Sequence, residues 1–97
     1  MPFGVHRHGD LRVCGATTVV QNQSTVFVNG RLAAVEGTHN SHGEGDLIPT
    51  TGQTVFVEGK PVIVHGPDHA APDNECPDPP THCDPATAEG SDNVFAY

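Results

Sequence analysis

The chain has no tryptophan, one tyrosine, one methionine and four phenylalanines among its 97 residues, and only 35% of it is apolar. A chain of this size buries only roughly 60–70% of the surface its unfolded form exposes. With so few large side chains, its core needs a staple: a metal, disulfides or a partner. Basic residues are also scarce. Arg7, Arg12, Arg31 and Lys60 face twelve acidic residues, for a net charge of −8. This excludes nucleic-acid binding, because nothing could neutralise the phosphates. No stretch approaches the ~18 apolar residues of a membrane span, and no window keeps the i, i+3, i+4, i+7 periodicity of an amphipathic helix. The opening Met-Pro-Phe-Gly-Val-His-Arg-His has no apolar run of the signal-peptide kind. The expectation is therefore a chain folded in a reducing cytoplasm, whose cysteines serve as thiolate ligands and not as disulfides. The odd number of cysteines, three, agrees with this.

What the chain does have is a phrase that recurs. Residues 25–30 read TVFVNG, residues 54–59 read TVFVEG, and residues 93–97 read NVFAY. An internal repeat defines the building unit. Here the unit is a β-strand followed by a two-residue turn, Asn29-Gly30 or Glu58-Gly59, with return strands expected at 32–35 and 62–64. A further strand is expected at 16–20, ending in the polar turn at 21–24. The third unit ends at Tyr97 without a return strand. Residues 66–89 carry Pro67, Pro72, Pro77, Pro79, Pro80 and Pro85 and read as a loop, since proline excludes a helix or a central strand. The whole, residues 1–97, reads as one all-β domain of approximate threefold character.

All three cysteines and all seven histidines lie between the repeats: His6, His8 and Cys14; His39 and His42; then His65, His69, Cys76, His82 and Cys83. Thiolate and imidazole together suit tetrahedral Zn²⁺, or Fe²⁺ as the alternative. Cys14 precedes the Val of the next repeat by 12 residues, His42 by 13 and Cys83 by 11. One donor thus arrives at nearly the same place in each unit. His39-x-x-His42 can add a fourth from the same loop. The candidate ligands are Cys14, His39, His42 and Cys83, with His82, His8, His69 and Cys76 as substitutes in that order. Surface histidines in solvated loops are the ordinary alternative for any one of these positions. Cys76 and Cys83 could instead form a disulfide across the loop.

These motifs resemble the PAAR-repeat family, small cone-shaped proteins that sharpen the trimeric spikes of phage tails and type VI secretion systems. The family's units run Gly-Ser-x-x-Val-Phe-Val-Asn-Gly, then Pro-Ala-Ala-Arg or a variant. The matches are TVFVNG followed by Arg31-Leu32-Ala33-Ala34-Val35, TVFVEG followed by Lys60-Pro61-Val62-Ile63-Val64, the ending Gly90-Ser91-Asp92-Asn93-Val94-Phe95-Ala96, and His8-Gly9-Asp10 with Cys14-Gly15. Departures are Leu32 at the first Pro, Val35 and Val64 at the Arg, and Thr38 and Pro67 where an Asp often follows Gly. The family's site is three His and one Cys, against two of each here.

The resemblance implies a cone with three repeated hairpin units and one structural Zn²⁺ at the vertex, which has no catalytic role. It implies one monomer capping a trimeric β-helical spike, made in the bacterial cytoplasm and carried on a virion tail or secretion spike to the target-cell envelope. Contact with the target membrane would be transient, without stable insertion. The rival readings are a small metal-binding protein of other purpose and a metalloenzyme. Against the latter there is no His-Glu-x-x-His and no evident general base. A toxin or a disulfide-rich module fits less well: 97 residues leave no room for an effector extension, and an odd cysteine would be left over.

Overall fold

A computed structural model of the chain describes residues 3–50, 55–76, 82–83 and 85–96. Within these the structure is strand-rich and has no α-helix, so no helix is long and apolar enough to cross a membrane. Ten two-residue strands are described: β1 Phe3–Gly4, β2 Thr18–Val19, β3 Phe27–Val28, β4 Arg31–Leu32, β5 His39–Asn40, β6 Leu47–Ile48, β7 Phe56–Val57, β8 Lys60–Pro61, β9 His69–Ala70 and β10 Phe95–Ala96. The repeated phrase forms hairpins β3–β4 and β7–β8. Both central residues of each turn have positive φ: Asn29 55° and Gly30 78°, Glu58 53° and Gly59 81°. That is the two-residue turn whose twist matches paired strands, and it is why glycine ends both phrases. Thr54 and Tyr97 lie outside the described residues.

The third unit does have a return strand, and the N-terminus supplies it. β1 pairs antiparallel with β10, Gly4 opposite Phe95 and Phe3 opposite Ala96, as Leu32 stands opposite Phe27 and Pro61 opposite Phe56. The three return segments then bond to one another in a closed ring. The His6 N–H donates to Ile63 O (2.9 Å), the Ile63 N–H to Ala34 O (3.0 Å), and the Ala34 N–H to His6 O (2.8 Å). Bridges Arg7–Ala33, Val35–Val62 and Val64–Val5 flank these bonds. Each segment thus shares its edge with the next, and no unpaired β-edge is left at the centre.

Side chains alternate across this ring as they do along any strand. Val5, Ala33, Val35, Val62 and Val64 face one side and pack with Val28, Val57, Ala96 and Phe3. Ala34 and Ile63 face the other, with Val20, Leu47, Ala70 and Leu32. In the N-terminal return segment that second face carries His6, fully buried and hydrogen-bonded through its ring to Thr18 Oγ1 (2.6 Å) and Glu89 O (2.7 Å).

After each return segment a buried oxygen turns the chain. Asp10 Oδ2 accepts from the Arg7 N–H (3.0 Å), Thr38 Oγ1 from the Val35 N–H (3.3 Å), and Asp68 Oδ2 from the Val64 N–H (2.8 Å). Pro67 is an inserted residue, and the acid expected in its place stands one position later. Asp10 also holds Arg7 (2.9 Å) and Arg31 (3.0 Å).

The spacers contain more strand than the sequence suggests. β2 pairs with β5 and β6 with β9. β9 lies between Pro67 and Pro72 inside the segment read as a loop, and Pro61 itself sits in β8, where it lacks only a donor.

Two predictions follow from this architecture. Ile63→Ala opens a hole in the smaller apolar cluster and is expected to cost about 2–4 kcal/mol, against about 0.5 kcal/mol or less for Ser at exposed Phe56; denaturant unfolding of both variants measures the difference. The second concerns His6, whose pKa falls from 6.5 to about 4 because burial disfavours the cation, partly offset by Glu89 O and Asp10. Between those values the unfolded chain holds the extra proton, so His6 destabilises the fold as pH drops from 6.5 toward 4, by about 3 kcal/mol in all. A His6→Gln variant, compared with the parent across that window, is expected to lose this share of the pH dependence.

Candidate metal centre

Three segments bring together two of the expected ligands, Cys14 and His42, and the first substitute, His82. Cys14 lies in the turn after Arg12, closed by the Gly15 N–H to Arg12 O (2.9 Å). His42 follows β5, and its backbone N–H donates to the Asn40 side-chain oxygen (2.9 Å). His82 is fixed to the third segment by its carbonyl, which accepts from the Asp73 N–H (3.0 Å). Together with Asp73, these residues place four ligand atoms within 4.8 Å of one another.

Asp73 Oδ2 is the hub. It lies 3.1 Å from His82 Nδ1, 3.3 Å from His42 Nδ1 and 3.9 Å from Cys14 Sγ, and the two Nδ1 atoms are 3.2 Å apart. Donors at roughly 2.0–2.3 Å from a tetrahedral ion stand about 3.3–3.6 Å from each other. The three separations among Asp73 Oδ2 and the two Nδ1 atoms lie close to that edge length, while Cys14 Sγ stands farther out, at 3.9 Å from Asp73. If both rings donate to the carboxylate, their two N–H groups face each other at 3.2 Å. A cation that accepts one lone pair from each of the four relieves this conflict.

Burial pushes the Asp73 pKa up, but hydrogen bonds from the Asn40 amide (2.9 Å), the Glu75 N–H (2.8 Å), His82 and His42 outweigh it. They hold the carboxyl below its usual range, in the charged form that a metal needs. Asn40 orients two ligands at once, Asp73 through its NH₂ and His42 through its oxygen.

Beneath the cluster Arg12 is buried. Its guanidinium donates to Thr18 Oγ1 (3.0 Å), Thr38 O (3.1 Å), His39 O (2.9 Å) and Gly45 O. Burial lowers its pKa to about 10, against the pull of Cys14, Asp73 and Asp46, so it stays a cation at neutral pH. Among the described residues no buried side-chain nitrogen or oxygen lacks a partner.

The structure thus brings Cys14 and His42 together with Asp73 and His82. His39 and Cys83 stand elsewhere. His39 alternates with buried Asn40 along β5, so it points outward and pairs with Asp46 (2.8 Å). Cys83 is bonded to Cys76, which removes both as free thiolates and leaves Cys14 as the free cysteine. His8 is exposed and accepts the Val20 N–H (3.1 Å), and His69 lies in β9. The repeat spacing itself pointed to His82, which precedes Val94 by the same 12 residues that separate Cys14 from Val26. No pattern marked Asp73, one acid among twelve. No protein-family model, curated protein or solved structure matches the chain.

Co²⁺ titration tests the centre. The parent is expected to take one equivalent, with a thiolate-to-metal absorption band that is lost in Cys14→Ser. Asn40→Ala should weaken binding about 10- to 100-fold, while His39→Ala leaves it unchanged. Equal binding by parent and His42→Ala would argue against this donor set.

Proposed function

We propose that the chain is the metal-stapled tip of a trimeric β-helical spike, of the kind found in phage tails and type VI secretion systems, and that it belongs with the PAAR-repeat proteins. One observation carries the reading: an exposed apolar pair occurs three times in the same register. Phe27, Phe56 and Phe95 are 60%, 56% and 53% exposed, each preceded by an exposed valine, Val26, Val55 or Val94, and followed by a buried residue, Val28, Val57 or Ala96. A monomer normally keeps such side chains apart or covered. Three copies on three equivalent hairpins are what a single chain needs to meet three identical subunits at once.

Further support comes from the hydrogen-bond ring. Three units bonded cyclically suit a common axis and a cone-shaped outline. The N-terminal return segment, Val5-His6-Arg7-His8-Gly9-Asp10, carries the family's Arg and Gly-Asp at the register where the other two return segments have Val35 and Val64. The donors lie on the face to which His6 points, linked to it through Thr18 and Arg12. In this reading they form the vertex, held by one structural Zn²⁺ or Fe²⁺, while the aromatic hairpins form the base. The tip is then assembled on a virion tail or secretion spike after synthesis in the bacterial cytoplasm. It contacts the target membrane only as it passes through.

The test is binding to blunt trimeric β-helical spike ends from contractile machines, with stoichiometry read by analytical ultracentrifugation. One chain per trimer is expected. Phe27→Asp, Phe56→Asp and Phe95→Asp combined should abolish binding by at least about 100-fold while leaving the circular dichroism of the fold unchanged. Three chains per trimer, or no binding to any such end, would overturn the proposal.

One observation favours the metalloenzyme alternative. Glu75, exposed, places carboxylate oxygens 3.8 Å from His42 Nδ1 and 3.7 Å from His82 Nε2, where a general base could stand. Hydrolysis of activated esters by the zinc-loaded protein, abolished in Glu75→Gln, would support that alternative.

A further inference from the structure

We propose that the Cys76–Cys83 disulfide is a thiol-exchangeable latch on the segment that carries Asp73 and His82. The other two donors are fixed by the body of the fold, Cys14 in a closed turn and His42 beside β5. Asp73 and His82 are held to each other. The Asp73 N–H donates to His82 O (3.0 Å), the Cys76 N–H donates to Asp73 O (3.2 Å), and the disulfide joins Cys76 to the residue next to His82 across seven positions of sequence. Pro85 is tied to the body of the fold, its carbonyl accepting from the Ala70 N–H (2.9 Å).

Without the covalent link, among the described residues His82 keeps one backbone bond and the polar contacts of its own ring, with Asp73, His42 and Glu75. Holding it in place would then cost the closure entropy that the disulfide removes. Cys76 and Cys83 are both half-buried, outside the sealed core.

The exchange balances with a dithiol reductant. One of its thiolates attacks a sulfur of the bridge, breaking the Cys76–Cys83 bond and forming a mixed disulfide. Its second thiolate displaces the remaining cysteine and the reductant leaves as a cyclic disulfide. Two electrons and two protons end on Cys76 and Cys83. Cys14 takes no part. The structural half of the proposal stands on the geometry alone, whereas its effect on an ion rests on the metal-centre reading.

The experiment compares the oxidised parent, the dithiol-reduced parent after anaerobic removal of the reductant, and a Cys76→Ser/Cys83→Ser variant that has neither bridge nor extra thiols. Hydrogen exchange at the Asp73 amide and Zn²⁺ affinity by chelator competition are read on each. Reduced parent and double variant are both expected to lose protection at Asp73 and to bind Zn²⁺ about 10- to 100-fold more weakly. Reoxidation should restore the parent alone. A double variant with undiminished protection overturns the latch. So does a reduced parent that binds Zn²⁺ more tightly than the oxidised one, since the two cysteines would then be ligands. An oxidised parent that binds no Zn²⁺ makes the metal reading fail, and exchange at Asp73 then decides the latch by itself.

Discussion

Three backbone hydrogen bonds, His6 to Ile63, Ile63 to Ala34 and Ala34 to His6, constrain the rest of the molecule. Ten strands of two residues each could not persist as separate ribbons, because an isolated short hairpin is marginal in water. Bonding in a ring lets each return segment act as the edge partner of the next. It satisfies the central backbone groups without a wide sheet. The N-terminal strand is part of this closure. Without β1 and the His6 that follows it, the third hairpin has one strand and the ring has two members.

The ring also divides the chemistry. Five aliphatic side chains on one face pack with Val28, Val57 and Ala96 from the hairpins, a dry contact among nearly equal small groups. On the other face the N-terminal segment has His6 where the other two return segments have Ala34 and Ile63. A run of polar contacts begins there: His6 to Thr18, Thr18 to Arg12, and Arg12 to the carbonyls of Thr38, His39 and Gly45. A buried cation is costly unless its donors are all engaged. Each of the three Arg12 guanidinium nitrogens has a partner, on the spacers that carry Cys14 and His42, so one buried guanidinium ties together the segments of two candidate ligands.

The repeats were legible because their physics is local. Alternation, β-branched residues and an Asn-Gly or Glu-Gly turn are all written within six residues. The closing strand was not, since pairing Phe3 with Ala96 spans the whole chain and carries no local mark. β5, β6 and β9 escaped for a related reason: two-residue strands such as His39–Asn40 are too short to show a period. At the candidate site, counting to the next repeat located Cys14 and His42. Counting from Cys83 gives 11 residues and from His82 gives 12, a difference too small for spacing to separate the two neighbours. Asp73 became visible only through what it touches, Asn40 and two imidazoles.

The placement of the donors follows from where apolar burial runs out. The smaller cluster holds Val20, Ala34, Leu47, Ile63 and Ala70, and each large side chain there is worth roughly 1.5–3 kcal/mol while an alanine gives less. Beyond it the described segments meet through polar groups, with Thr38, Asn40 and Asp73 buried among them. Hydrogen bonds there contribute only about 0.5–1.5 kcal/mol each, too little to order the parts of the three spacers that reach beyond the cluster shared by Val20, Leu47 and Ala70. A structural zinc ion can contribute on the order of 10 kcal/mol in a volume smaller than one leucine. An ion bound by Cys14, His42, Asp73 and His82 would therefore do at that end what Val5, Val35 and Val64 do at the other, joining three parts of the chain where too few side chains remain to pack.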